Sequence, residues 1–315
     1  MNVRLAVVSL LCSALPALAA ACPAGAAEIV TRDATSVRLA TDTQGRALVT
    51  YSQGGRMWHV FYSGAINARQ PSPSISQVKF KVDYSGGRGE WRKFKNTCRP
   101  YDGPKLALLL TACKASDGSY WALQVWQRLL PNVGYVPWTS AQKAREVHIS
   151  HWRGPLAQVE VYRYWVNGTQ DQAIFGRASY LGQPIYGYHT SSSGVPLDDY
   201  GRLVYLDTLD SAYGPGWQRE NSFLTHKSSG MYCYGFLPHS TYPGYPRQRS
   251  GALVGTGKRY RLTLVGPGVT PDVAAYVDGL PAFDAGDPAL VDLQARMTVK
   301  AQAMARLYGD RPCSG

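Results

Sequence analysis

The sequence predicts a mainly β protein: a β-sandwich or two packed antiparallel sheets, with a single C-terminal α-helix. Three observations predict it. Apolar and polar residues alternate with a period of two in one run after another. The runs are separated by turns rich in Gly, Pro and Ser. Only one segment, near the C-terminus, carries apolar residues at helical spacing.

In chain order, strands are expected over 36–41, 46–52 and 57–63. Gln44-Gly45 and Gly54-Gly55 join them into a meander. The meander is like one propeller blade, but the pattern does not recur, which disfavours a propeller. Val78, Phe80, Val82 and Tyr84 alternate with Lys79, Lys81 and Asp83, as in a half-buried strand. The runs 106–113 and 120–126 flank Ser116-Asp117-Gly118, and Asp-Gly between apolar runs signals a hairpin. Further strands are expected over 146–152, 174–181, 203–207 and 231–236, and a short turn at 140–145.

Two alternating runs carry more information. Val159, Val161 and Trp165 alternate with Glu160, Tyr162 and Tyr164, so both faces of that strand bear rings. Either it lies between two packed layers, or one face is an exposed stacking platform. Tyr260, Leu262 and Leu264 alternate with Arg259, Arg261 and Thr263. The helix has Asp287 as N-cap, Pro288 at its first position and Gly309 as its stop. Leu290, Leu293, Met297, Met304 and Leu307 form its stripe, with Ala301 a weak link, and the stripe reads as core packing.

Residues 1–26 read as a signal peptide. Arg4 precedes a charge-free apolar stretch over 5–21, and Ala24-Gly25-Ala26 is an A-x-A cleavage signal. Ala17-Leu18-Ala19 is a rival site. Ala19-Ala20-Ala21-Cys22 is a lipobox variant without the preferred Leu, so a lipoprotein anchored at Cys22 is the alternative to a secreted or cell-surface protein. A spanning helix needs roughly 20 apolar residues, and Pro16 interrupts this run. No transmembrane segment is expected once the signal is removed.

Cysteine arithmetic bears on the cleavage site. The six are Cys12, Cys22, Cys98, Cys113, Cys233 and Cys313. Cleavage after Ala26, or lipidation of Cys22, leaves four to pair, whereas cleavage after Ala19 leaves an odd thiol. Four cysteines allow three pairings. The expected one is Cys98–Cys113, which flanks a short segment, with Cys233–Cys313. A zinc site is the rival reading, but no C-x-x-C pair or Cys/His ligand spacing supports it. No metal site and no cofactor are expected. The organisation that follows is a signal peptide at 1–26, a β-rich region at 27–286 and a helix with a Cys-containing tail at 287–315. The β-rich region is one large or two fused domains, with a boundary near 166–172 if there are two.

The chain is 45% apolar and carries a net charge of +12, with the excess cations scattered rather than blocked. For an exported protein this points to an anionic or polysaccharide envelope polymer before nucleic acid, or simply to solubility by charge. Long loops at 64–76, 130–137, 189–199 and 238–258 are where binding usually sits on a β scaffold. Asn167-Gly168-Thr169 matches a glycosylation sequon and reads as a turn.

The densest chemistry lies in 205–226. Asp207, Tyr213, Trp217, Arg219, Asn221 and His226 are the ligand-binding candidates. Rings stack on the apolar faces of sugars, and carboxylates accept hydroxyl hydrogen bonds. Asp210 and Glu220 are the acid/base candidates if the protein cleaves a glycosidic bond, which requires a set spatial separation of two carboxyls. The competing reading is an Ω-like loop whose aromatics pack it down and whose acids cap turns.

Other motifs carry less. On a strand, His148 and His151 face opposite sides, while Glu146 and His148 share a side and can form a charged pair. There is no G-x-S-x-G. The run 251–258 looks like a P-loop, but it has one residue too many between its glycines and Arg259 where Ser or Thr should follow. The runs 205–217 and 265–273 resemble segments of uncharacterised exported proteins of high-GC Gram-positive bacteria. That resemblance covers the C-terminal half, implies export from a bacterial cell and implies no activity.

The functional expectation is a non-catalytic exported module that binds an envelope or extracellular polymer. A secreted glycan hydrolase using a carboxylate pair is one alternative. A structural or inhibitory secreted protein is the other.

Overall fold

A computed structural model describes residues 28–70, 77–127, 145–166, 172–185, 189–190, 196–197, 204–211, 215–219, 222–226, 229–236 and 256–309. The first half of the chain contains β1 (Glu28–Arg32), β2 (Thr35–Thr41), β3 (Ala47–Gln53), β4 (Arg56–Gly64), β5 (Phe80–Asp83), a 3-10 segment (Gly87–Lys93), β6 (Arg99–Pro100), β7 (Leu109–Lys114), β8 (Tyr120–Gln127) and β9 (Arg145–Trp152). The second half contains β10 (Gln158–Trp165), β11 (Gln172–Tyr180), β12 (Gln183–Pro184), β13 (His189–Thr190), β14 (Pro196–Leu197), β15 (Val204–Leu209), β16 (Trp217–Arg219), β17 (Ser222–His226), β18 (Met231–Phe236), β19 (Arg259–Leu264), β20 (Val273–Asp278) and helix α1 (Pro288–Tyr308). All pairings among the described strands are antiparallel.

The strands form two pairs of packed sheets, each closed over its own core. In the first pair, β2-β3-β4-β5 covers β1-β9-β8-β7-β6. Val49, Val60, Tyr62, Trp121, Leu123 and Ile149 fill the space between them. In the second pair, β10-β11-β18-β17 covers β16-β15-β19-β20. Ile174, Tyr232, Tyr234, Leu206, Tyr260 and Leu262 are buried between those sheets. Alternation explains each layer, since successive side chains point to opposite faces and these apolar positions turn inward. The expected boundary near 166–172 falls between β10 and β11, which are hydrogen-bonded neighbours in one sheet.

Local chemistry sets several elements. Gly54 and Gly55, both at positive φ, make the two-residue turn between β3 and β4. That turn places Tyr51 directly opposite Trp58. The Asp117-Gly118 turn joins β7 to β8 as expected, and Cys113 of that hairpin is disulfide-bonded to Cys98 with Cα atoms 5.5 Å apart. Cys233 is also a disulfide cysteine and is buried. Cys313, its expected partner, lies outside the described residues.

Helix α1 runs between the expected caps. Asp287 accepts a hydrogen bond from the Ala289 N–H at 2.9 Å, and Gly309 closes the helix in the left-handed region. The stripe departs from expectation at its end. Leu307 is 72% exposed, whereas Ala301, Met304 and Tyr308 pack against Tyr162, Tyr164, Phe175 and Met231. At 100° per residue Tyr308 falls closer to Met304 than Leu307 does, so the ring takes the inward place. The Gln294 amide fixes the helix to the end of β10: Oε1 accepts from Trp165 N at 2.9 Å, and Nε2 donates to Trp165 O at 2.6 Å. Tyr162 and Tyr164 are therefore covered by a helix, and β10 lies between two packed layers.

Some expectations are corrected. Tyr84 does not share the inward face with Phe80 and Val82. It lies just past β5 and is 54% exposed. The stretch 205–226 is not one loop. β16 pairs with β15 and β17 pairs with β18, so it divides between two sheets. Strand β1 and the 3-10 segment carry no strong alternation and were not expected. The turn expected at 140–145 lies outside the described residues apart from Arg145, which begins β9. Among the described residues, no helix is long and apolar enough to cross a membrane.

Candidate functional site

The sheet β16-β15-β19-β20 buries one face and presents the other. Val204, Leu206, Tyr260, Leu262 and Leu264 point into the core. Because side chains alternate, Asp207, Arg259, Arg261, Tyr276 and Asp278 stand on the opposite face. The register sets them in two rows across the strands. One row runs Arg219, Asp207, Arg261, Tyr276, and the next runs Trp217, Leu209, Arg259, Asp278.

Two exposed rings dominate this face. Trp217 is 36% exposed and Tyr276 44% exposed. Their centroids are 6.2 Å apart in an edge-to-face arrangement. The Arg261 guanidinium sits 4.7 Å from the Trp217 ring centre, and that of Arg259 sits 5.1 Å from Tyr276. Asp207 is buried at the base, and its Oδ2 accepts from Arg261 Nη2 at 2.9 Å and Nε at 3.3 Å. The fork holds Arg261 in one orientation, and Arg261 in turn braces Trp217.

Three charge pairs stand on or beside this face. Arg261 meets Asp207, Arg259 meets Asp278 at 3.3 Å, and Lys258 meets Asp210 at 2.9 Å. The result is an aromatic platform with fixed polar groups at its base. Such a surface suits a ring with alternating apolar and hydroxylated faces.

The structure distributes the candidate residues unequally. Asp207 and Trp217 fall on this face, and Arg219 holds a register position beside Asp207. Asp210 lies at the adjoining turn, where its Oδ1 accepts from Gly216 N at 2.7 Å while Oδ2 meets Lys258. Both oxygens are thus committed to holding the turn. His226 lies on β17, in the other sheet of the pair, and does not join the platform. Tyr213, Glu220 and Asn221 lie outside the described residues. Tyr276, Arg259 and Arg261 were not expected as site residues. Arg259 and Arg261 were visible as the polar half of an alternating strand, but their neighbours depend on a three-strand register.

Two other polar clusters lie in the interior. His148, Glu146 and Asp272 form one, with His148 Nδ1 donating to Asp272 Oδ2 at 2.7 Å. Ser119 and His151 form another, with Ser119 Oγ 2.9 Å from His151 Nε2 and 2.6 Å from Asp117 Oδ1. The Asp117 carboxylate approaches the serine rather than orienting the histidine, whose Nδ1 donates to the Ala65 carbonyl at 3.0 Å. A nucleophile, base and orienter in series are therefore not assembled there. Burial pushes the His151 pKa down to about 4, against the pull of the Ala65 carbonyl and Asp117. Among the described residues, no group of three His, Cys, Asp or Glu side chains converges as a metal-ligand set.

No protein-family model, curated protein or solved structure matches the chain.

Proposed function

We propose that this is an exported, non-catalytic module that binds an extracellular or envelope polysaccharide on the Trp217–Tyr276 face. The observation that carries the reading is the pair of exposed rings braced by an ordered Arg261–Asp207 fork. Sugar rings stack on aromatic faces through their C–H surfaces, and fixed guanidinium and carboxylate groups take the hydroxyls. The pairing of Arg261, Arg259 and Lys258 with carboxylates favours a saccharide over a simple polyanion, because those cations are already neutralised. The leader-like segment at 1–26 and the Cys98–Cys113 disulfide support export, since disulfides persist in oxidising compartments.

The test is co-sedimentation of the chain from Ala27 onward with insoluble cell-wall material and neutral polysaccharides, at low and at high salt. Retention that survives high salt is expected, because stacking is not screened. Retention that disappears with salt would reduce the interaction to general charge attraction and overturn the reading.

A further inference from the structure

A second site lies in the first half of the chain. Between β1 and the β3-β4 hairpin is a cavity of about 390 Å³, within the range that takes a small ligand. Tyr51, Trp58 and Tyr84 supply its rings, and Thr31, Arg32 and Gln53 its polar groups. The glycine turn sets Tyr51 opposite Trp58 on one sheet face, with ring planes within 14° and centroids 6.4 Å apart. They form an aromatic floor at the edge of the core, with Tyr51 buried and Trp58 partly buried, and the half-exposed Tyr84 stands beside it.

The polar groups are fixed by bonds to the protein that leave atoms for a ligand. Gln53 Nε2 donates to the Arg32 carbonyl at 2.8 Å, which orients the amide. Among the described residues its Oε1 has no protein partner. Arg32 is held through Nε by Glu146 Oε1 at 2.8 Å, and its two terminal nitrogens have no partner among the described residues. An amide acceptor and a guanidinium donor beside an aromatic floor match the adjacent hydroxyls of a sugar ring.

The charges decide which sugar. Arg32 is neutralised by Glu146. Arg32 is the charged residue among those that line the cavity. With that charge met by Glu146, the lining holds no unpaired cation for a carboxylate.

We infer that this cavity is a second saccharide site, selective for a neutral pyranose and independent of the Trp217–Tyr276 face. A chain with two such sites engages a polymer at two points, which raises avidity without new contacts at either.

The test is calorimetric titration of a Trp217→Ala background with tetramers of β-1,4-glucose, α-1,4-glucose, N-acetylglucosamine and glucuronate. The expected result is binding of at least one neutral tetramer at millimolar affinity or better, with the glucuronate tetramer at least tenfold weaker. Trp58→Leu and the exposed Tyr84→Ala each then weaken that binding at least tenfold, with far-UV circular dichroism and melting temperature unchanged for Tyr84→Ala. Absence of binding to every neutral tetramer, preference for glucuronate, or indifference to Tyr84→Ala would each overturn the inference. None of these outcomes bears on the Trp217–Tyr276 face, whose residue is already removed in the background.

Discussion

His148 Nδ1 donates to Asp272 Oδ2 at 2.7 Å, across 124 residues of sequence and between the two pairs of sheets. Both side chains are buried. Asp272 Oδ1 accepts from Gly266 N at 2.8 Å, and the Gln124 side chain clasps the Asp272 backbone with two bonds of 2.9 Å. Glu146 Oε2 stands 3.5 Å from His148 Nε2, and Arg32 covers Glu146 from the surface. The two halves are therefore joined through a satisfied polar network in a low-dielectric interior, where an orphaned group costs most.

Asp272→Ala is expected to lower unfolding stability by about 3–5 kcal/mol, because it leaves His148 and the Gly266 N–H without their acceptor. His148→Ala should also be costly, and the double variant should cost less than the sum of the two. Urea denaturation of the three variants measures this. Strict additivity would mean the bond does not couple the halves.

His151 makes stability fall in mild acid. Its folded pKa of about 4 lies below the ordinary value of 6.5, so the unfolded chain takes up the proton first as pH falls. The contribution is complete above about pH 6.5 and is lost progressively toward pH 4. The loss reaches about 3 kcal/mol at most, at 1.36 kcal/mol per pKa unit. Denaturation midpoints between pH 7 and 4 should fall in the wild type and fall less in His151→Gln.

Gly176 admits a close approach that no side chain allows. A Cβ there would collide with the Glu160 carbonyl and the Tyr232 hydroxyl, which are themselves hydrogen-bonded across β10 and β18. Gly176→Ala is expected to cost about 1–3 kcal/mol by overpacking. A thermal melt unchanged from wild type would show that β10 and β11 separate freely at this point.

What could be read from the sequence follows from the range of the forces involved. Alternation over 259–264 and the Asp287 and Gly309 caps are local, and the structure keeps them. The Glu146–His148 pair was visible because residues two apart on a strand share a face. The division of 205–226 was not visible. Short strands β16 and β17 are assigned to different sheets by the partners they find, β15 and β18, and not by their own composition. Trp217 and Asp207 stood out by residue type. Tyr276 did not, because its place beside Trp217 exists only once β15, β19 and β20 are in register. The Tyr51–Trp58 pair was within reach, since a two-residue Gly-Gly turn fixes the opposite partners by counting outward from it.

The Cys98–Cys113 bridge closes a loop with a sequence separation of 15. By loop entropy, the double replacement Cys98→Ser with Cys113→Ala should cost about 3 kcal/mol. A reduced wild type should lose more than the double variant in denaturant titrations, because reduction also opens the bridge at Cys233. Equal losses would mean that the Cys233 bridge adds no stability.

The most direct measurement separates rings from charges on the outer face. Affinity for the polysaccharide retained at high salt would be measured for Trp217→Ala, Tyr276→Ala and Arg259→Ala. Each ring variant is expected to lose roughly two- to tenfold, from stacking of about 0.5–1.5 kcal/mol apiece, and Arg259→Ala a smaller amount that shrinks as salt rises. Unchanged affinity in both ring variants, with loss confined to Arg259→Ala at low salt, would contradict it.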